Sequence, residues 1–210
     1  FFKQKTAYEI STRDWSSDVC SSDLARLRCA ESRHHRASLN ARSLAAVPGI
    51  RRLNHAVLYV SDARRSAKFY DDVLGFSVVQ EAAGGRAVFV RAEGSTNHHD
   101  LGLFSVGNTA QRARQHAAVH VGLYHLAWQV DTIDELAIIR RRMIESGSFG
   151  GESDHGVSKS VYGHDPDGIE FEVMWMVPES DWGRYAVDAV VAPLDLAAEI
   201  SRWSGVSTRV

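Results

Sequence analysis

Cysteine is scarce in this chain, and its absence from most of the sequence narrows the kinds of site that the chain can build. Only two of the 210 residues are cysteine, Cys20 and Cys29, and both lie in the N-terminal region. The rest of the chain holds no thiol for a disulfide or a soft-metal site, so any metal ligands must be His, Asp or Glu. This composition suits a reducing compartment, and we expect a cytoplasmic protein.

The sequence also has no large excess of positive or negative charge and no long apolar run. The formal net charge is −2, which gives no electrostatic signal for a nucleic-acid or membrane-surface partner. No window approaches the roughly 18 consecutive apolar residues that cross a bilayer. With 44% hydrophobic residues in 210 positions, the chain is typical of one globular domain with tails. We expect neither a nucleic-acid nor a membrane partner.

The first 49 residues carry little periodicity. Residues 1–24 resemble a translated sequencing adapter, and we expect them to be an artefact. Residues 25–49 are rich in Arg, Ser and Ala, and predict a disordered tail or spurious upstream translation, with an Arg-rich targeting peptide as the alternative. The folded domain is predicted over residues 50–178, followed by a partly helical C-terminal extension, residues 179–210.

The first half of the domain, residues 50–106, predicts a strand, a helix and three further strands. Leu53–Val60 has strand composition and places His55 on one face with Leu53, Val57 and Tyr59. A helical stripe follows between an N-cap at Asp62 and a C-cap at Gly75. Its apolar members are Ala63, Ala67, Tyr70 and Leu74. The next strands are predicted at Phe76–Glu81, Arg86–Arg91 and Asp100–Phe104.

The second half, residues 120–178, repeats that order. Leu123–Val130 puts His125 in the place of His55, and Thr132–Glu135 forms a capping box that opens a second helix. The predicted stripe of that helix is Ile133, Leu136, Ala137 and Ile144, before Gly147. Further strands are predicted near Gly150, at Ser158–Tyr162 and at Ile169–Trp175. The sequence therefore predicts an α+β fold of paired βαβββ units, a single module whose curved mixed sheet surrounds a concavity.

In the C-terminal extension, Leu196, Ile200 and Trp203 recur at helical spacing. This pattern favours an amphipathic helix. We expect it to dock on the sheet or on another subunit.

A carboxylate in the last predicted strand points to a metal. Asp165-Pro166-Asp167-Gly168 is turn chemistry, and the strand after it places Phe171, Val173 and Trp175 on one face and Glu172 on the other. A carboxylate in the middle of an otherwise buried strand is costly unless a cation meets it. Since the repeat also aligns two histidines, we predict a metal site in the concavity.

The predicted ligands are His55, His125 and Glu172. Two imidazoles and one carboxylate leave coordination positions open, which suits Fe(II) or Mn(II). A lone histidine is more often a buried residue with its hydrogen bonds satisfied than a metal ligand. His55 and His125 occupy equivalent positions of a repeat, and this favours ligation. Glu170 shares a face with Glu172 and is the rival ligand, interpreted as a carboxylate at the mouth because it lies nearer the turn.

These motifs resemble the vicinal-oxygen-chelate superfamily, and within it the type I extradiol dioxygenases of the catechol 2,3-dioxygenase kind. The resemblance covers Ile50–Val177 and rests on His55 in Leu-Asn-His, His99 in His-His-Asp-Leu-Gly-Leu-Phe, His125 in Tyr-His-Leu, His155 in Asp-His-Gly-Val-Ser, Tyr162 and Glu172. It implies an Fe(II) enzyme, with Mn(II) possible, that cleaves a small aromatic diol with O2.

The resemblance also implies roles for three residues that are not ligands. His99 would be the acid/base on the oxygen side, with neighbouring His98 as the alternative, and His155 would contact substrate or belong to a lid. Tyr162 would donate to a substrate oxygen. The plainer interpretations are a surface histidine, a loop histidine and strand packing, respectively. His116, His120 and His164 have no such support.

Three rival functions share much of this pattern. A glyoxalase-type lyase uses a fourth, acidic ligand on the last strand of the first unit, where Asp100 is short and near the strand start. An antibiotic-inactivating thiol transferase shares the two histidines and the glutamate, and a metal-free sequestering protein needs none of them. Well-known ring-cleaving enzymes carry two modules, so a single module predicts a homodimer, with units paired within one chain or exchanged between subunits.

Overall fold

The computed structural model of the protein describes residues 49–108 and 122–209. The predictions for residues 1–48, and for His116 and His120, lie outside the described residues. Among the helices of the described segments, none is long and apolar enough to cross a membrane.

The first unit contains four strands and one helix in the predicted order. Its elements are β1 (Ala56–Val60), α1 (Ala63–Leu74), β2 (Phe76–Ala82), β3 (Ala87–Ala92) and β4 (Leu101–Ser105). The strands form one sheet in the order β1-β4-β3-β2. The β1–β4 pair is parallel and the other pairs are antiparallel, so the sheet is mixed.

The second unit repeats this topology. Its elements are β5 (Leu126–Val130), α2 (Ile133–Ser146), β6 (Phe149–Asp154), β7 (Ser158–His164) and β8 (Glu170–Met176). The sheet order is β5-β8-β7-β6, and its β5–β8 pair is parallel, as the β1–β4 pair is in the first sheet. The prediction of an α+β fold built from paired βαβββ units is confirmed.

Both helices begin and end where the sequence predicts. The Asp62 carboxylate accepts from the backbone N–H groups of the first turn of α1, and Gly75 ends that helix in the left-handed region, at φ 74°. Thr132 and Glu135 cap α2 reciprocally, and Gly147 ends it at φ 73°. Such caps stabilise a helix by about 1 kcal/mol each, because they satisfy backbone groups that have no intrahelical partner.

The apolar stripe of α2 differs from the prediction. Its buried residues are Ile133, Leu136, Ile139 and Met143, whereas Ala137 is only half-buried and Ile144 is exposed. Each of those two lies one residue beyond a core position, and one residue turns a helix by about 100°. In α1 the predicted Leu74 also lies one residue beyond a buried position, Val73. Leu74 is still half-buried against the core.

The C-terminal extension packs on the second unit. It contains α3 (Leu196–Trp203), whose Leu196, Ile200 and Trp203 contact the core around Trp175. The Trp175 and Trp203 rings lie 5.9 Å apart between centroids. Lys159, buried on β7, also holds the extension, because its ammonium is 3.6 Å from the Glu199 carboxylate of α3.

The turn between β7 and β8 is fastened to the first unit. The Asp167 carboxylate accepts from the backbone N–H of Ser61 at 2.8 Å, from its hydroxyl at 2.6 Å and from the Arg65 guanidinium at 2.7 Å. Burial opposes the ionisation of Asp167, but the Ser61 bonds and the Arg65 charge outweigh it and lower the pKa of this carboxyl. The turn thus links the two units electrostatically.

We expect Asp167→Ala to lower the free energy of unfolding by about 2 kcal/mol, because it leaves the half-buried Ser61 donors without their acceptor. Urea unfolding at pH 7 measures the loss. The matched control is Asp72→Ala, which removes an exposed pair with Lys68 and should leave the free energy of unfolding nearly unchanged. Equal losses in the two variants would contradict a linking role for Asp167.

Candidate metal centre

Strand β8 separates core side chains from candidate ligands by simple alternation. Phe171, Val173 and Trp175 are buried in the core of the second unit, so Glu170 and Glu172 lie on the opposite face. The antiparallel register with β7 places Tyr162 opposite Glu172 and His164 opposite Glu170. The site face is therefore set by the pairing of two strands around one turn.

Four predicted site residues meet on this face, and we call them the second-sheet cluster: His125, His155, Tyr162 and Glu172. His125 Nε2 lies 3.0 Å from Glu172 Oε2. The Tyr162 hydroxyl is 3.3 Å from Glu172 Oε1 and 2.7 Å from His155 Nε2. Glu172 is buried, with 8% of its surface exposed, so its charge needs these partners.

The charges of this cluster are strongly coupled. Glu170 and then Glu172 raise the pKa of His125 to about 9. Burial opposes ionisation of both carboxyls, yet His125 lowers the pKa of Glu172, and His125 with His164 lowers the pKa of Glu170 to about 2. Burial, followed by the charge of Glu172, raises the pKa of Tyr162 well above its usual range.

In the metal-free protein, His125 stabilises the fold more at low pH than at high pH. Its pKa is raised from 6.5 to about 9 on folding, so the stabilisation is complete below pH 6.5 and is lost as the pH rises through 9. Urea unfolding between pH 6 and 10 should show this loss, which is about 3 kcal/mol from the shift alone and about 2 kcal/mol once solvent screening of the partly exposed ring is allowed for. The His125→Gln variant should lack that part of the decline, and parallel curves for variant and parent would contradict it.

The remaining two predicted residues lie just before strands of the other sheet. His55 and His99 have ring centroids 4.6 Å apart, and His98 Nδ1 lies 3.0 Å from His99 Nδ1. These three histidines form what we call the first-sheet cluster. Phe89 packs edge-on against His99, and partial burial, followed by the charge of His55, lowers the pKa of His99.

Neither predicted histidine ligand lies inside its strand. Pairing of β1 begins at Ala56, because the next position of its partner strand is Asp100, whose carboxylate closes the preceding loop by accepting from Ala92 and Ser95. Pairing of β5 begins at Leu126, since β8 has just left its turn there. The prediction that His55 and His125 lie mid-strand is therefore wrong: each precedes its strand directly.

The two clusters lie apart in one chain. Among the residues that the structure describes, no three His, Cys, Asp or Glu side chains are grouped so as to hold a metal ion. His125 and Glu172 do fit such an ion, because a cation bonded at about 2.1 Å to each of two donors at a right angle holds them about 3 Å apart. His55 lies with His99 rather than with them.

Sequence reasoning gave too little weight to Glu170, His164 and Tyr124. Glu170 Oε1 lies 3.7 Å from His125 Nδ1, and Glu170 Oε2 lies 3.6 Å from His164 Nε2. The Tyr124 ring packs on His125 at 4.8 Å between centroids. The turn at Asp165–Gly168 could have predicted one of these contacts, because strand pairing across it sets His164 opposite Glu170.

Comparison with known proteins places this geometry in a family. The model of the Glyoxalase/Bleomycin resistance protein/Dioxygenase superfamily matches residues 52–173, more than half of the chain. The chain belongs to this superfamily. The resemblance inferred from the motifs is thereby confirmed at the level of the superfamily.

Several relatives within the superfamily are informative. A catechol-2,3-dioxygenase of Bacillus subtilis (strain 168) is 33% identical over 132 residues, which are 63% of this chain and 44% of that protein. The chain therefore spans less than half of that relative's length. A glyoxalase/dioxygenase structure from Nostoc punctiforme has a TM-score of 0.52 at 20% identity, covering 63% of this chain and 100% of that one.

A variant of the fosfomycin resistance protein FosX from Listeria monocytogenes, solved with Mn(II), also shares the fold. Its TM-score is 0.50 at 19% identity, covering 65% of this chain and 99% of that one. These two structures support the fold alone.

Proposed function

We propose that the protein is a metal-dependent extradiol dioxygenase that cleaves a catechol-type ring with O2. The observation that carries the proposal is the chain of contacts from His155 through Tyr162 to Glu172 and His125. It joins a hydroxyl donor and an imidazole to a candidate ligand pair. A site built only for metal storage has no use for the Tyr162 hydroxyl and the His155 imidazole.

The metal is proposed to be Fe(II), with Mn(II) as the alternative, held by His55, His125 and Glu172. When bound, it would supply a Lewis-acid centre with open positions for the two vicinal oxygens of the substrate and for O2. The net charge of a divalent cation with one carboxylate favours a substrate monoanion.

The chain's own residues would handle the protons. The Tyr162 O–H would donate to a substrate oxygen when substrate is bound, and without substrate its proton can go to His155 Nε2, 2.7 Å away. His99, on the first sheet, would act on the oxygen side. Partial burial and the neighbouring His55 lower the pKa of His99, which favours the neutral ring that can accept a proton.

We propose further that the metal site is completed by a second copy of the chain. The first-sheet cluster of one protomer would face the second-sheet cluster of its partner, and that brings His55 to His125 and Glu172. The surface around both clusters is apolar and exposed, at Leu53 (75%), Tyr59 (75%) and Leu123 (65%). A homodimer would cover this surface.

The test is anaerobic loading of the full chain with Fe(II), followed by a panel of catechols and air. The expected result is a coloured ring-fission product that requires iron and O2. Full iron occupancy without product would favour a lyase or thiol transferase of the same superfamily. A protein that retains no stoichiometric metal would favour a sequestering function.

A further inference from the structure

The C-terminal extension reaches the second-sheet cluster at one atom. Residues 183–195, which we call the strap, run from the end of the second unit to α3, and the backbone oxygen of Val190 lies 3.0 Å from His155 Nδ1. A carbonyl oxygen can only accept a hydrogen bond, so the proton in this contact belongs to Nδ1. In a neutral imidazole the lone pair is then on Nε2, which faces the Tyr162 hydroxyl.

The strap is mostly exposed and is held at a few points close to His155. Ala192 exchanges two backbone hydrogen bonds with Asp154, at 2.8 and 2.9 Å. The Tyr185 ring packs over Gly156 so tightly that a Cβ at that position would come within 2.5 Å of ring carbon Cγ. These fastenings flank His155 on both sides in sequence, so they fix where its ring lies.

A buried ion pair ties the same loop to α3. The Lys159 ammonium is 2.6 Å from Asp154 Oδ1, which also accepts from the Gly156 N–H at 2.7 Å. Because Lys159 also meets Glu199, the residue before His155 is connected to the helix that follows the strap. The strap is thereby anchored at both of its ends and at its contact with the cluster.

We propose that the strap is a positioning element of the active site: the Val190 carbonyl holds His155 as the Nδ1–H tautomer, so that Nε2 accepts the proton of Tyr162. The functional part of this statement rests on the proposed function, whereas the tautomer is a property of the chain itself. In that tautomer both His155 Nε2 and Glu172 Oε1 can accept the single Tyr162 proton. Without the strap, Nε2–H would donate to Tyr162 and could not take its proton.

Long-range proton–nitrogen NMR spectra of the full metal-free chain, labelled with 15N-histidine, test the tautomer directly. The His155 signals are assigned by their loss in His155→Gln. The expected result is a protonated Nδ1 and an unprotonated Nε2 at pH 8. A predominantly Nε2–H ring in the parent protein would overturn the proposal, whatever reaction the protein catalyses.

Two variants release the strap at different points. Ala192→Pro removes the N–H that bonds to Asp154, and Tyr185→Ala removes the ring over Gly156 without touching a core residue. Each should shift His155 toward the Nε2–H form and lower kcat for ring cleavage by about tenfold at unchanged metal content. The control is Val187→Ala, on a strap residue that is 88% exposed.

The tautomer and the ring-cleavage rate are measured separately in each variant, so the strap and the dioxygenase proposals are tested independently. If Ala192→Pro fails to fold, as judged by circular dichroism, Tyr185→Ala carries the test. An unchanged tautomer in a folded, strap-released variant would overturn the proposal. A changed tautomer in a protein that cleaves no catechol would support the strap and reject the dioxygenase.

Discussion

Glu172→Ala is expected to abolish retention of the metal. Glu172 is a buried carboxylate in contact with His125, and its Oε2 lies at 3.0 Å from the imidazole Nε2, a distance that suits two ligands of one cation. Removal of residues that merely support ligands weakens metal binding about 10- to 100-fold. Loss of the ligand itself should therefore exceed about 100-fold. Metal analysis after gel filtration, and titration with Fe(II) under anaerobic conditions, measure the change.

Glu170→Ala is the matched control for that result. Glu170 shares the face of Glu172 and lies 3.7 Å from the other imidazole nitrogen of His125, so it supports the ring without being the proposed ligand. We expect this variant to keep the metal at stoichiometric loading, with an affinity at most about 100-fold lower. If Glu170→Ala lost its metal while Glu172→Ala retained it, the two assignments would be reversed.

Tyr162→Phe should keep the metal and lose turnover. The substitution removes one hydroxyl from a half-buried ring and leaves the ring contact with His125 in place. Because the proposed role is proton transfer, kcat should fall by roughly 10²- to 10⁴-fold, the range for loss of one acid–base group. Steady-state oxygen uptake at full iron occupancy measures it.

The control for Tyr162→Phe is Ser77→Ala, which deletes an exposed hydroxyl from β2, away from both histidine clusters. It should turn over at the parent rate. A Tyr162→Phe enzyme within about threefold of the parent would assign Tyr162 to strand packing, since a catalytic proton donor cannot be removed at so small a cost.

Local chemistry explains why the helices and the turn were predictable. Asp62, Thr132, Gly75 and Gly147 act through neighbours within four residues, so sequence alone identifies the caps. The alternation along β8 is equally local, and it separated Glu172 from Phe171 correctly.

Contacts that depend on distant chain segments were beyond such reasoning. The strand ends at His55 and His125 depend on where the partner strands begin, which is decided by the Asp100 loop and by the turn before β8. The Val190 contact with His155 joins residues 35 positions apart through a backbone oxygen, and a backbone oxygen leaves no mark in sequence.

We propose that one metal site takes His55 from one protomer and His125 with Glu172 from its partner. Chains carrying His55→Ala and Glu172→Ala should each fail as homodimers, since every site lacks a ligand. In a heterodimer of the two, one of the two sites contains all three native ligands, and the other lacks two of the three.

The decisive measurement is the metal content of that heterodimer, purified through two different affinity tags after co-expression. The account predicts about one Fe(II) per heterodimer and none in either homodimer, with ring-cleavage activity returning in proportion. A heterodimer that binds no metal, like its parent homodimers, would show that the ligands must lie in one chain and would contradict the account.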